Sequence, residues 1–101
     1  MAFVYILLSP SLDKFYIGSC QDLAGRLIQH REKTFKDAYT SNASDWELFL
    51  SISDLDYAQA RAIEIHIKKM KSKEYCRNLR KYPELVEKIK MRISLDTVSS
   101  R

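Results

Sequence analysis

Two short apolar segments near the start of the chain predict a pair of β-strands. Residues 3–8 are rich in β-branched and aromatic side chains and apolar throughout, which is typical of a strand buried on both faces. Residues 14–19 predict a second strand. The turn-like sequence between them, which contains Pro10 and Asp13, predicts that the two strands form a β-hairpin.

The hairpin register decides whether two tyrosines share a face of the sheet. If Leu8 opposes Phe15, then Tyr5 opposes Gly18, and Tyr5 and Tyr16 become diagonal neighbours on one face. A register slip of one residue would place the tyrosines on opposite faces. A site built from both tyrosines therefore requires a connecting loop with an even number of residues.

A helix is predicted after the hairpin, and a loop after the helix. Asp22 is a suitable N-cap, and the helical spacing of apolar residues continues to about Lys33. Arg26 and His30 are neighbours four residues apart, beside the apolar stripe of this helix. Residues 34–45 are polar and irregular, which predicts a loop.

The remaining pattern predicts a third strand and further helices. Residues 46–53 alternate sufficiently for a strand that places Trp46, Leu48 and Leu50 on one face and Phe49 on the other.

Asp56 and Gln59 have capping-box spacing, and the helix that they begin carries apolar residues at helical intervals, Ala60, Ile63, Ile67 and Met70. A short basic helix follows through Leu79. Pro83 suits the first turn of a last helix whose core positions are Leu85, Val86, Ile89 and Ile93.

These elements predict an α+β fold, a small three-stranded antiparallel sheet flanked by helices. The 101 residues leave room for one domain, which we place at residues 1–94, with a frayed C-terminal tail at residues 95–101. Cys20 and Cys76 are too few for a disulfide scaffold, so we expect reduced thiols in a cytoplasmic protein. We expect no cleavable signal peptide, since the apolar run at residues 3–8 is short and has no basic flank, and no apolar stretch approaches a membrane span.

Basic residues are concentrated in residues 68–81. This segment has a single acidic residue, Glu74, against seven basic ones, Lys68, Lys69, Lys71, Lys73, Arg77, Arg80 and Lys81. Such a concentration suits a nucleic acid, because neutralised phosphates release counterions. The alternative is an ordinary solvated helix face.

Glu64 is a carboxylate on an otherwise apolar stretch of helix. It has two interpretations. It is a surface glutamate that pairs with Lys68 four residues later, which spacing alone favours. Alternatively, it is a metal ligand, since Mg²⁺ often takes only one or two carboxylates and completes its coordination with water and substrate phosphate.

Four other side chains suit phosphodiester hydrolysis. Arg26 can bind a phosphate in bidentate fashion, and His30 can exchange a proton near neutral pH. The hydroxyl of Tyr5 or Tyr16 can orient water, or act as a base if a nearby cation lowers its pKa. Each residue taken alone is better explained without chemistry, the tyrosines as core aromatics with polar tips and Arg26 and His30 as an exposed helix edge.

The ordered set resembles the GIY-YIG nuclease family. Its second hallmark tripeptide is intact as Tyr16-Ile17-Gly18, whereas Phe3 and Val4 stand before Tyr5 where the family has Gly and Ile. The likeness covers residues 2–79 and includes Arg26, His30, Glu64 and the segment that begins at Trp46. It is similar to the compact single-domain branch, which includes the catalytic module of homing endonucleases and the N-terminal domain of the bacterial excision-repair nuclease.

The resemblance implies a divalent-metal nuclease with one catalytic cation, Mg²⁺ or Mn²⁺. Tyr5 and Tyr16 match the tyrosines that position or activate the attacking water. Arg26 matches the phosphate-binding arginine, His30 the polar residue that follows it, and Glu64 the metal-ligating glutamate. Asn78 matches an accessory asparagine near the site.

We therefore expect a metal-dependent DNA endonuclease that is structure-dependent or weakly sequence-specific, in DNA repair or recombination. RNA stays open as a substrate, and the oligomeric state stays undetermined. The alternative is a non-catalytic nucleic-acid-binding module on the same fold. The nucleic-acid contacts are expected from Lys68, Lys69, Lys71, Lys73 and Arg77.

Overall fold

The computed structural model describes the backbone of residues 1–32 and 45–99 and the side chains of residues 1–29 and 45–93. The strands of one antiparallel sheet lie in the order β2-β1-β3. The chain order of elements is β1 (Ala2–Ser9), β2 (Lys14–Cys20), α1 (Leu23–Glu32), β3 (Glu47–Leu55), α2 (Tyr57–Met70), α3 (Lys73–Lys81) and α4 (Pro83–Ser99). The predicted α+β fold is confirmed. The predicted loop before β3 lies outside the described residues except for Asp45.

The hairpin has the predicted register. Leu8 pairs with Phe15, Tyr5 pairs with Gly18, and Leu7 pairs with Tyr16. The connection between Ser9 and Lys14 is an even-numbered turn, closed by a hydrogen bond of 3.3 Å from the Asp13 N–H to the Pro10 carbonyl. The turn bends tightly because Asp13 adopts a left-handed conformation with φ 51°.

Both faces of the central strand β1 are buried, which explains its unbroken apolar sequence. One face forms the main core with α2, α3 and α4, through Val4, Ile6, Ile52, Ile63, Ile67, Leu79 and Ile89. The other face forms a smaller core under α1, in which Tyr5, Leu7 and Cys20 pack against Leu23, Leu27 and Trp46. Among the described residues, no helix is sufficiently long and apolar to cross a bilayer.

The predicted faces of β3 are wrong because the strand contains a bulge. Leu50 pairs with Ile6, but Leu48 pairs with Leu7, so the two leucines follow opposite faces of β1. The extra residue between them changes the side-chain alternation. Phe49 and Leu50 both pack against the main core, whereas Leu48 is 44% exposed.

The helix boundaries follow the sequence signals. Asp56 and Gln59 form the predicted capping box, with the Gln59 N–H donating to the Asp56 carboxylate at 2.7 Å. Lys71 ends α2 in a left-handed conformation, and the Ser72 hydroxyl accepts the Tyr75 N–H at the start of α3. The apolar face of α2 stops at Ile67, since Met70 is 45% exposed.

The last helix begins at the predicted proline. Ile89 is buried in the main core, and its predicted partners Leu85, Val86 and Ile93 pack against that core. The backbone of α4 continues to Ser99, so the predicted domain boundary at residue 94 falls inside this helix. The separate tail at residues 95–101 stays a prediction.

Candidate active site

The two tyrosines lie side by side on the α1 face of the sheet. Their ring centroids are 6.3 Å apart, with an angle of 33° between the ring planes. Tyr5 is almost completely buried, at 1% exposure, while Tyr16 on the edge strand β2 is half-buried. The hairpin register thus brings both rings together and leaves Tyr16 as the more accessible of the two.

Gly18 makes room for the Tyr5 side chain. The two residues are direct partners in the sheet, and the phenol lies where a Cβ of residue 18 would stand. The sequence signal for this contact was a lone glycine inside an apolar strand, which often marks a close approach. Gly18 was not among the predicted site residues, yet it determines where Tyr5 can lie.

Helix α1 carries Arg26 to the Tyr5 hydroxyl. The Asp22 carboxylate accepts the Gly25 N–H at 3.1 Å, as expected for an N-cap, and the Asp22 carbonyl accepts the Arg26 N–H at 3.0 Å. The Arg26 side chain then donates a hydrogen bond to Tyr5. The guanidinium is therefore held over the α1 face, one helical turn beyond the cap.

Burial controls the protonation of the groups near Arg26. Desolvation raises the pKa of Tyr5 to about 12, and the opposing charge of Arg26 does not overcome it. Burial also raises the pKa of the Cys20 thiol, which Arg26 again opposes. Tyr5 is therefore a neutral phenol near pH 7, and a role as general base at that pH does not suit it.

Glu64 is buried on the face of the sheet that packs against α2, and it is 6% exposed. One carboxylate oxygen accepts the Ser19 hydroxyl at 2.5 Å, and the other accepts the Lys68 ammonium at 2.6 Å. Arg61 lies 3.5 Å from the oxygen that Ser19 binds. The expected pair with Lys68 is present, but the interpretation of Glu64 as a surface residue is wrong, because the packing of α2 on β2 covers it.

Glu64 and the tyrosines lie on opposite faces of the sheet, on the two sides of the edge strand β2. Gly18 faces the α1 side, and the next residue, Ser19, faces α2. No further strand follows β2 at this edge of the described sheet. The charge of Glu64 reaches Tyr5 across the edge and contributes to its raised pKa. The side chains of Tyr5, Tyr16, Arg26 and Glu64 thus gather around one short section of β2.

A known domain family matches most of the chain. The GIY-YIG catalytic domain family matches residues 1–81 of the 101 residues. The chain belongs to the GIY-YIG family. This family consists of endonucleases, so the chain carries a hydrolase-type nuclease domain with a nucleic-acid substrate. No curated protein and no solved structure shows a significant match to the chain.

Two further predicted site residues of the GIY-YIG domain, His30 and Asn78, lie on helices α1 and α3. His30 lies on α1, four residues after Arg26, and its side chain is outside the described residues. Asn78 is half-buried on α3, where its carbonyl accepts the Tyr82 N–H at 2.8 Å.

The basic segment of the domain is partly neutralised by the hairpin turn. Lys73 and Arg77 lie 3.1 Å and 3.3 Å from the two carboxylate oxygens of Asp13. The Arg80 guanidinium lies 4.9 Å from the centroid of the Phe49 ring. Lys73, Arg77 and Arg80 therefore contact other elements of the fold, while the Lys73 and Arg77 side chains remain 51% exposed.

The Glu64 carboxylate offers the oxygen donors that a divalent cation takes. The described part of the domain contains no cluster of three or more His, Cys, Asp or Glu side chains around one point. A single carboxylate fits Mg²⁺, which completes its shell with water and phosphate oxygens. The Lys68 ammonium occupies one of the two carboxylate oxygens and would compete with a cation for it.

Proposed function

We propose that this GIY-YIG domain is a divalent-metal-dependent endonuclease that hydrolyses phosphodiester bonds in DNA. The supporting observation is that a buried carboxylate, Glu64, and a tyrosine-held guanidinium, Arg26, flank the same edge strand. We infer a structure-dependent or weakly sequence-specific enzyme of DNA repair or recombination. The two cysteines lie unpaired in different cores, which supports a reducing, cytoplasmic setting.

The roles of the α1 face follow from burial and hydrogen bonding. Arg26 binds a non-bridging phosphate oxygen and stabilises the charge that develops there. Tyr5 positions Arg26 through its neutral hydroxyl. Tyr16, the more accessible tyrosine, orients the attacking water, and His30 exchanges a proton or hydrogen-bonds the phosphate.

Glu64 holds the catalytic Mg²⁺ or Mn²⁺ in this proposal. A bound divalent cation neutralises phosphate charge and favours departure of the leaving oxygen. Ser19 orients the carboxylate from its other side through the hydrogen bond of 2.5 Å. Lys68 would have to give up one carboxylate oxygen to the cation, and its ammonium would then be available to a substrate phosphate.

The proposal is tested by cleavage of branched and single-stranded DNA with Mg²⁺ or Mn²⁺. Glu64→Gln and Arg26→Lys keep the approximate shapes of the side chains, and each is expected to reduce the rate by about 10²–10³-fold. Glu87→Gln is the matched control, because Glu87 is an exposed glutamate of α4 paired with Lys90. Equal cleavage by wild type, Glu64→Gln and Arg26→Lys contradicts the site.

The second candidate is a non-catalytic nucleic-acid-binding module. It is favoured by the partners of the Glu64 carboxylate, since one oxygen accepts the Ser19 hydroxyl and contacts Arg61, and the other accepts the Lys68 ammonium. This candidate predicts salt-sensitive binding without turnover on any DNA or RNA substrate. The same assay with RNA decides between the two polymers as substrates.

A further inference from the structure

A cavity of about 290 Å³ lies beside Glu64, between β2 and the junction of α2 and α3. Its volume is near the lower limit of ligand pockets, which is roughly 300 Å³, so it suits one small ligand. The cavity is lined by Lys14, Phe15, Ile17, Ile67, Lys68, Lys71, Ser72, Lys73 and Cys76.

The lining has two chemically different parts. Phe15, Ile17 and Ile67 provide an apolar wall that continues into the main core. The other part is basic and contains four lysines, of which Lys68 pairs with Glu64 and Lys73 with Asp13. These two carboxylates leave an excess of positive charge around the cavity. An apolar wall under a cationic rim matches a ligand with a flat apolar part and an anionic part.

Lys71 is the rim lysine best placed to bind an anion. It stands at the end of α2 in a left-handed conformation, with φ 47°, and the residue is exposed. Within the part of the chain that the structure describes, its ammonium group makes no hydrogen bond or ion pair. An anion bound by Lys71 therefore breaks no ion pair of the described fold.

The cavity is continuous with the candidate active site. Lys68 lines the cavity and also donates to Glu64 at 2.6 Å. On β2, Ile17 lines the cavity, and Ser19, two residues later on the same face, binds Glu64. Two residues of a strand span about 7 Å. A strand of nucleic acid at Glu64 therefore has the cavity directly next to it.

We propose that this cavity binds a single unpaired nucleotide next to the scissile phosphate. Its base lies on the wall of Phe15, Ile17 and Ile67, and Lys71 binds its phosphate. The inference rests on the proposed nuclease function and specifies its substrate as DNA with an unpaired nucleotide, as in a flap or a bulge. A paired base must first be unstacked, which costs a few kcal/mol, whereas an unpaired base enters without that cost.

The first test uses no divalent metal and therefore no cleavage. Protein with ¹³C-labelled isoleucine methyl groups is titrated with deoxyadenosine 5′-monophosphate and, separately, with inorganic phosphate. We expect saturable shifts of the Ile17 and Ile67 methyl signals with the nucleotide, while Ile89, in another part of the core, stays unchanged. The absence of saturable shifts, or equal affinity and shifts with inorganic phosphate, overturns the proposal.

The second test compares two DNA flaps that differ only in one base. One flap carries a nucleotide at the junction, and the other an abasic analogue with the same phosphate. Wild type is expected to bind the first flap more tightly, and equal affinity overturns the proposal.

Variants then test the rim. The measured quantity is the slope of the logarithm of the flap-binding constant against the logarithm of the salt concentration. Lys71→Met is expected to reduce the magnitude of this slope by about one. Lys88→Met on α4 is expected to leave the slope unchanged. An unchanged slope for Lys71→Met overturns the assignment of Lys71 as the phosphate ligand.

The failure of the nuclease function and the failure of the nucleotide pocket give different results. If the protein binds the nucleotide but cleaves no substrate, the nuclease function is contradicted and the nucleotide pocket is not. If the protein cleaves DNA but shows no nucleotide-dependent shifts, only the nucleotide pocket is contradicted.

Discussion

The phenol of Tyr5 lies against the backbone of Gly18, its partner across the hairpin. A Cβ at position 18 would stand 2.5 Å from the Tyr5 hydroxyl oxygen and 2.6 Å from Cζ. Gly18 has no positive φ, so its requirement is for space and not for backbone freedom. The hydroxyl that receives the Arg26 hydrogen bond is thus positioned by the absence of a side chain.

Gly18→Ala is expected to destabilise the domain and to displace Tyr5. The added methyl group forces the buried ring to move, and overpacking of this kind costs about 1–3 kcal/mol of unfolding free energy. Urea denaturation measures this change, and a cleavage assay measures the accompanying loss of Arg26 positioning. The control is Ser53→Ala, which places an alanine at an exposed position of β3. A stable and fully active Gly18→Ala variant contradicts the positioning role.

Lys68→Met is expected to lower the Mg²⁺ concentration needed for half-maximal cleavage. The Lys68 ammonium is 2.6 Å from a Glu64 oxygen, so its removal leaves that oxygen to the cation. The measurement is a Mg²⁺ titration at saturating DNA. Lys69→Met removes the same charge from an exposed position one residue later on α2. If both variants have the Mg²⁺ requirement of wild type, Glu64 does not bind the cation in competition with Lys68.

Asp13→Asn is expected to strengthen nucleic-acid binding. The substitution removes the carboxylate that pairs with Lys73 and Arg77 and keeps a residue type that tolerates the left-handed conformation of position 13. The salt dependence of DNA binding should become steeper by about one for each additional phosphate that these two side chains neutralise. Fluorescence anisotropy at several salt concentrations gives this slope.

A matched control for this prediction is Asp54→Asn. Asp54 also has a positive φ, of 62°, and is exposed on β3, so its replacement adds the same charge without releasing Lys73 or Arg77. If the two variants bind DNA equally tightly, the tighter binding is a general charge effect and the pairing with Asp13 does not restrain the basic segment.

Acid is expected to remove the stabilisation that Asp45 provides. The Ser9 hydroxyl donates to this carboxylate at 2.6 Å and the Ser11 N–H at 2.8 Å, and these bonds lower its pKa. A lowered pKa in the folded state gives stability that is present above the ordinary aspartate pKa of about 3.9. That stability disappears as the pH falls through the folded-state pKa.

The measurement compares urea unfolding of wild type and Asp45→Asn between neutral pH and pH values well below 4. The difference in unfolding free energy should be largest at neutral pH and should shrink in acid. A difference that stays constant over this range would show that the carboxylate charge does not stabilise the fold.

The local features of the fold were readable from the sequence. The apolar run of β1, the even-numbered turn and the capping box at Asp56 each depend on residues close together in the chain. They predicted the hairpin register, the shared face of Tyr5 and Tyr16, and the start of α2. The alternation of β3 misled the prediction, because the bulge between Leu48 and Leu50 adds a residue that local periodicity does not reveal.

By itself, then, the sequence determined the elements, the hairpin pairing and the residue types of the candidate site. Only the tertiary structure decided which of those residues meet, because Ser19 and Glu64 are 45 positions apart and Lys73 and Asp13 are 60 apart. Such contacts depend on how α2 and α3 pack across the edge of β2. Packing of that kind depends on complementary shapes of whole surfaces, which no short pattern of apolar and polar residues encodes.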